Sequence, residues 1–299
     1  MAQQQSNCSL DWTVLKVLQW TTQYFQTHGI DSPRLTAEIL LAHALQTSRL
    51  SLYLHYDQPL SLPERDCFKK LIQRRRQREP VAYITGKKGF FDLDLAVATD
   101  VLIPRPETET LIETALDVIP KSGEGFCWQI LDAGTGSGAI VLSLARERAG
   151  HRYWATDRSM AALHIARQNA VQTGIGNICW VCADWLDAFC GQGPCLDLIV
   201  SNPPYIPSAE IDRLEPEVCR YEPRMALDGG IDGFDAIRRI VEGAIRVLKP
   251  GGFLMMEIGY DQGMAVCGLL ESAAAFEAIG VRKDLGGRDR VILARKKTD

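Results

Sequence analysis

The segment Ser201-Asn202-Pro203-Pro204-Tyr205 follows an apolar run, Leu196 to Val200, and sets an amide, two prolines and an aromatic ring in succession. Each proline removes a backbone donor and fixes φ, so the chain is rigid there and the carbonyls of Asn202 and Pro203 are not consumed by a regular ladder. They remain to accept. With the side-chain oxygen of Asn202 they suit a planar group that offers two N–H bonds, an amide or an exocyclic amine, whose face the Tyr205 ring can cover. A plain Pro-Pro turn closing a strand is the alternative.

A second segment, Asp132-Ala133-Gly134-Thr135-Gly136-Ser137-Gly138, stands between a strand pattern and a helix pattern. Its alternating glycines let the backbone turn sharply and approach a ligand at a helix N-terminus. Gly134, Gly136 and Ala139 also satisfy G-x-G-x-x-G/A, and Asp157 lies about 20 residues on, where a carboxylate can hold ribose hydroxyls. Either an adenine dinucleotide or S-adenosylmethionine fits. Asp184-Trp185 ends a third strand pattern, where the Asp can accept from an adenine amino group and the Trp can offer it a flat face; an Asp that only forms a turn is the competing reading.

These loops need a sheet to hold them. After Trp128 the strands Gln129 to Asp132, Tyr153 to Thr156, Ile178 to Cys182, Leu196 to Val200 and Phe253 to Ile258 alternate with helices beginning near Gly138, Ser159 and Gly233. That alternation predicts an α/β fold with a mostly parallel sheet covered on both faces. Val281 to Asp284 and Arg290 to Ala294, split by Gly286-Gly287-Arg288-Asp289, add an antiparallel hairpin at the sheet's edge and bring the strand count to seven.

The first 85 residues read as a small bundle of three helices. Leu10, Val14, Leu15, Leu18 and Phe25 carry the first, with Gly29 as its stop; Ser32-Pro33 caps the second, which buries Ile39, Leu40, Leu41 and Leu45. Ser61-Leu62-Pro63-Glu64 has capping-box spacing and opens the third, with Phe68, Leu71 and Ile72 apolar and an end near Pro80. From Val81 to Pro106 the helical period is lost, and Phe90, Phe91, Leu93, Leu95 and Val97 suggest a short hairpin. Glu107 to Ile119 reads helical, and Pro120 to Gly125 breaks the chain before the first strand of the sheet. The division expected is 1–85 helical, 86–106 linker with hairpin, and 107–299 α/β.

Composition narrows the class. The chain has 299 residues with 46% hydrophobic and 23% charged, an ordinary globular balance. No run approaches the roughly 18 apolar residues of a membrane span, and the start lacks a signal-peptide pattern. Nine cysteines without framework spacing fit reduced thiols in the cytoplasm. A net charge of -4 argues against a protein built to neutralise nucleic-acid phosphates.

Asn202 to Tyr205 together with Asp132 to Gly138 resemble the class I, Rossmann-like S-adenosylmethionine-dependent methyltransferases that act on planar nitrogens. Glu79-Pro80-Val81-Ala82-Tyr83-Ile84-Thr85-Gly86, Leu102-Ile103-Pro104-Arg105-Pro106-Glu107-Thr108-Glu109 and Tyr221-Glu222-Pro223-Arg224-Met225-Ala226-Leu227 resemble signatures of the PrmC/HemK family of release-factor glutamine methyltransferases. The resemblance spans essentially the whole chain; the cysteines from Cys179 to Cys195 are not part of it. It implies methylation of the Gln amide in the Gly-Gly-Gln loop of class 1 peptide chain release factors, with S-adenosylhomocysteine as product and the helical domain recognising the substrate. It assigns Asp132, Gly134, Thr135, Gly136, Ser137, Gly138, Asp157, Asp184, Trp185 and Asn202 to the cofactor. Asn202, Pro203 and Tyr205 are the catalytic set, and Pro204 and Arg105 join them in holding the substrate. A cytoplasmic monomer without metal is expected, with no nucleic-acid substrate.

Other features read as structural. Arg74-Arg75-Arg76-Gln77-Arg78 can meet a ribosomal or release-factor surface, but a charge run closing a helix is ordinarily a solvated face. Cys179 and Cys182 have zinc-like spacing in a strand pattern with no second pair. Arg105 and Glu109 form either part of the site entrance or a linker salt pair. The histidines, His28, His43, His55, His151 and His164, lie away from the motifs. The competing functions are a glutamine methyltransferase of a ribosomal protein, an adenine-N6 methyltransferase of nucleic acid, a nicotinamide oxidoreductase and a non-catalytic adaptor.

Overall fold

The computed structural model describes residues 12–121, 127–191 and 193–298, and the chain divides into two compact units, Met1–Thr85 and Gly86–Asp299. Leu10 and Cys8, and Ser122 to Gly125 of the expected break, lie outside the described residues.

The first unit holds α1 (Val14–Thr27), α2 (Pro33–Ala44), α3 (Arg49–Leu54), α4 (Leu62–Arg76) and α5 (Val81–Thr85). Leu18, Phe25, Leu40, Leu41, Phe68, Ile72 and Ile84 share its core. The capping box at Ser61 and Glu64 is formed, a feature that stabilises a helix start by about 1 kcal/mol. Ser32 does precede α2, but its side chain makes no capping bond. Helices α3 and α5 were not expected. They are too short to show a period, and α3 is held by tertiary contacts: Tyr53 and Arg49 donate to Glu38 of α2, which is buried and also paired with Arg34. α4 ends at Arg76 rather than near Pro80, because Arg78 already takes a left-handed φ of 73°. The basic run is not a bare solvated face. Arg74 grips both oxygens of Glu79 at 2.8 and 2.5 Å, Arg75 is buried and donates to the Glu79 carbonyl, and Arg78 donates to the Gly29 carbonyl.

The second unit opens with the hairpin β1 (Lys87–Phe90) and β2 (Leu93–Ala96), joined by Phe91 and Asp92, both at positive φ as a primed two-residue turn requires. Then come α6 (Glu109–Val118), β3 (Gln129–Ala133), α7 (Ala139–Glu147), β4 (Arg152–Asp157), α8 (Met160–Thr173), β5 (Ile178–Cys182) and β6 (Leu196–Ser201). The chain ends with α9 (Pro216–Cys219), α10 (Asp235–Val247), β7 (Leu248–Glu257), α11 (Gly263–Ser272), β8 (Phe276–Lys283) and β9 (Asp289–Lys296). α11, unexpected from the sequence, has small and apolar residues on several sides and so shows no clean stripe.

Seven strands form one sheet in the order β5-β4-β3-β6-β7-β9-β8. β3 to β7 are parallel, and β9 runs against both its neighbours, so β8 alone is the outer strand at that edge. Successive residues alternate between two cores, as the strand period requires. Ile130, Leu198, Val200, Met255 and Val291 face one layer with Leu111, Ile112, Ile140 and Leu142. Leu131, Ile199, Leu254, Met256 and Ile292 face the other with Ile237, Ile240, Val266 and Leu270. The hairpin buries Phe90, Leu93 and Leu95 in the first of these.

Candidate active site

From β3 the chain builds outward through β4 to β5, then crosses to β6 and builds the other way through β7. Loops after β3 and β6 therefore diverge at the carboxyl edge, the place where open α/β sheets bind ligands. Asp132 and Val200 are register partners, which brings the glycine loop and the Asn202 loop out side by side; the Ser201 hydroxyl ties them by donating to the Ala133 carbonyl at 2.6 Å.

The glycine loop is stitched to β4. The N–H groups of Gly134 and Thr135 both donate to the Thr156 carbonyl at 2.9 Å. Gly136 N–H donates to Asp157 Oδ2 at 2.9 Å, while Oδ1 of the same carboxylate accepts from Ser159 N–H at 2.8 Å, so Asp157 fixes the loop and keeps lone pairs for ligand hydroxyls. Asp132 is fully buried, and its Oδ2 accepts from the Thr135 hydroxyl at 2.7 Å and Val141 N–H at 3.2 Å, whereas Oδ1 has no partner. Burial pushes the Asp132 carboxyl up to about 7, against the pull of those two bonds.

Trp185 lies against this loop with a φ of 49°, and its carbonyl accepts from the Thr156 hydroxyl at 2.8 Å. A Cβ on Gly134 would stand 2.8 Å from the Trp185 ring, at a φ of 77° that side chains avoid. Only glycine fits. Asp184 Oδ2 accepts from Arg239 of α10 at 2.6 Å, so this carboxylate is more than a turn former.

In the Asn202 loop, no donor among the described residues reaches the carbonyls of Asn202 or Pro203. Asn202 Nδ2 donates to the Thr108 hydroxyl at 3.2 Å, and Thr108 donates to Glu257 Oε2 at 2.6 Å. The Tyr205 hydroxyl donates to Glu257 Oε1 at 3.2 Å, and the Tyr205 carbonyl accepts from Gln262 Nε2 at 3.0 Å. Burial pushes the carboxyl of Glu257 and the phenol of Tyr205 upward. Arg105 does not pair with Glu109. Its guanidinium is bonded to Glu222 and to the Ile103 carbonyl, and burial raises the Glu222 carboxyl despite that cation. Glu109 instead accepts from Phe91 N–H at 3.4 Å.

A cavity of about 520 Å3 joins these parts, lined by Gly134 to Ser137, Asp157, Asp184, Trp185, Asn202, Pro204, Arg105 and Thr108. It brings together most of the residues singled out from the sequence; Pro203, Tyr205, Asp132 and Gly138 are not among those that line it. The residues missed were Thr108, Glu222, Glu257 and Gln262. Thr108 and Glu222 sit inside the quoted signatures, but no local pattern marked Glu257 or Gln262. Cys179 and Cys182 are free thiols on β5 at the opposite edge from β8, and no histidine lines the cavity. Among the described residues no acidic, cysteine and histidine group is placed to hold a metal ion. A ribose and a flat amino-bearing ring find matching chemistry here, the first at Asp157 and the second at Trp185 with Asp184. That donor set fits S-adenosylmethionine.

Two family models match the chain, a PrmC N-terminal domain over residues 16–86 and a methyltransferase domain over residues 128–273. A release factor glutamine methyltransferase of Geobacter sulfurreducens is 40% identical over 284 residues, 95% of this chain and 97% of the relative. One from Xylella fastidiosa is 44% identical over 262 residues, 88% and 93%. A methyltransferase of Pyrococcus furiosus shares the fold, with a TM-score of 0.51 at 18% identity over 75% of this chain and 99% of that one.

Proposed function

Because the chain belongs to the release factor glutamine methyltransferase family, we propose that it methylates the side-chain amide nitrogen (N5) of the glutamine in the Gly-Gly-Gln motif of class 1 peptide chain release factors. S-adenosylmethionine, when bound, supplies an electrophilic sulfonium methyl and leaves as S-adenosylhomocysteine. Gly134 to Gly138, Asp157, Asp184 and Trp185 hold it, with Asp132 beneath the loop and Asn202 at the shared wall.

The observation that carries this reading is the pair of acceptors at Asn202 and Pro203. An amide nitrogen is a poor nucleophile, since its lone pair is delocalised into the carbonyl. Two fixed acceptors for its N–H bonds orient that nitrogen and stabilise the positive charge it gains in transfer. Positioning of this kind is worth up to roughly 7 to 11 kcal/mol in well-aligned intramolecular cases. The surplus proton leaves afterwards, so no base must be held in place beforehand. Tyr205 and Pro204 shape the slot for the planar group. The unit Met1–Thr85, which exposes Trp20, Leu50 and Leu54, takes the recognition of the protein substrate in this reading.

Asn202→Ala tests it. Transfer to release factor should fall by a thousandfold or more while cofactor affinity, read by calorimetry, stays within a few-fold; a parental rate in the variant would refute the assigned role.

A further inference from the structure

We infer that Thr108 and Glu257 are positioning residues that set the direction of the Asn202 amide, forming a one-way chain of hydrogen bonds that makes the slot accept N–H groups and reject acceptors. This rests on the reading of an amide N–H2 as the methylated group. It follows from counting protons. Glu257 accepts one hydroxyl on each oxygen, from Thr108 on Oε2 at 2.6 Å and from Tyr205 on Oε1 at 3.2 Å. A hydroxyl has a single proton. With that proton committed to Glu257, Thr108 Oγ1 can only accept, so the atom of Asn202 that lies 3.2 Å away must be the amide nitrogen. The reversed amide would set oxygen against oxygen with no proton between them. Asn202 Oδ1 is thereby turned away from Thr108 and left as the acceptor of the site.

Burial, a tight turn and strand pairing make the chain stiff. Thr108 and Glu257 are both buried, at 4% and 2% exposure, so water does not compete for their bonds. Thr108 closes the short 3-10 turn Pro106–Thr108 ahead of α6, and its N–H is tied to the Arg105 carbonyl at 3.1 Å. Glu257 ends β7, one residue past Met256, the register partner of Ser201, so the strand that carries the carboxylate is bonded to the strand that carries Asn202. Gln262, a few residues on, accepts from Gly259 N–H at 2.9 Å and holds the Tyr205 carbonyl. Both ends of Tyr205 are thus fixed from the same loop.

The test measures single-turnover methyl transfer to release factor, cofactor affinity and urea stability in the full chain, with the side-chain 15N–1H resonances of Asn202 as a readout that needs no substrate. Thr108→Val removes the acceptor at equal volume. It should cut the transfer rate by about tenfold to a hundredfold with cofactor affinity unchanged, and shift the Asn202 amide protons upfield. Thr108→Ser keeps the hydroxyl and should recover the rate to within about fivefold of the parent. Glu257→Gln brings a donor into a place that now only accepts, so one of the two hydroxyls must turn round, and the rate should fall with little change in stability. Parental rates and an unmoved Asn202 signal in Thr108→Val would overturn the inference. A parent that binds cofactor but leaves release factor unmethylated refutes the function proposed above instead, and the Asn202 resonances then decide the chain of bonds by themselves.

Discussion

Replacing Asp132 by Asn removes a titrating group from beneath the glycine loop without changing its size, and the consequence depends on pH in a calculable way. The carboxyl ordinarily titrates at 3.8, and in the folded chain burial holds it at about 7. Below about pH 4 it is protonated in both states and contributes no pH dependence. Between about pH 4 and 7 the unfolded chain releases the proton while the folded chain keeps it, so stability declines as pH rises and levels off once the folded group has also ionised. A separation of about three units at 1.36 kcal/mol each makes the loss about 4 kcal/mol. Asp132→Asn carries no such titration. Urea unfolding of both proteins, followed by tryptophan fluorescence across about pH 4 to 8, should show the parent losing about 4 kcal/mol relative to the variant and then running parallel to it. A difference that stays constant to within about 1 kcal/mol over that range would refute the assignment of a buried, proton-holding Asp132.

Gly134→Ala should weaken cofactor binding by at least about tenfold in calorimetry, since its Cβ would lie 2.8 Å from the Trp185 ring at a φ of 77°, and left-handed backbone alone costs a side chain about 1 to 2 kcal/mol. Arg105→Ala leaves Glu222 buried without its cation. Urea unfolding should show a loss of roughly 3 kcal/mol, the low end for a broken buried pair because Arg105 is one-third open to water. Gly233→Ala would drive a Cβ to 2.4 Å from the Tyr205 carbonyl, so it should slow transfer more than it weakens cofactor binding, read by separate kinetic and affinity measurements.

The glycine loop and the Asn-Pro-Pro-Tyr segment were legible because each is contiguous and each is made of residues that constrain the backbone before any tertiary contact forms. The alternation of strand and helix likewise set out the sheet, since its period is a local property. What the sequence withheld was distant pairing. Thr108 meets Glu257 and Asn202 only after β6 and β7 have paired, and Arg105 meets Glu222 across a long stretch of chain, so their roles are invisible until the sheet is assembled. The short helices α3 and α5 escaped for the same reason: too brief to show a period, they owe their shape to contacts with α2 and α4. Arg105 with Glu109 was the plausible pair from spacing alone, and the deeper partner won because Glu222 is buried and needed the cation more.

Peptide mass spectrometry of a class 1 release factor after incubation with this protein and S-adenosylmethionine decides the substrate, beside a control factor carrying Gly-Gly-Ala in place of Gly-Gly-Gln. One added methyl on the glutamine, absent from the control, is the predicted result. An unmodified release factor, with label passing to a ribosomal protein or to nucleic acid in the same reaction, would contradict it.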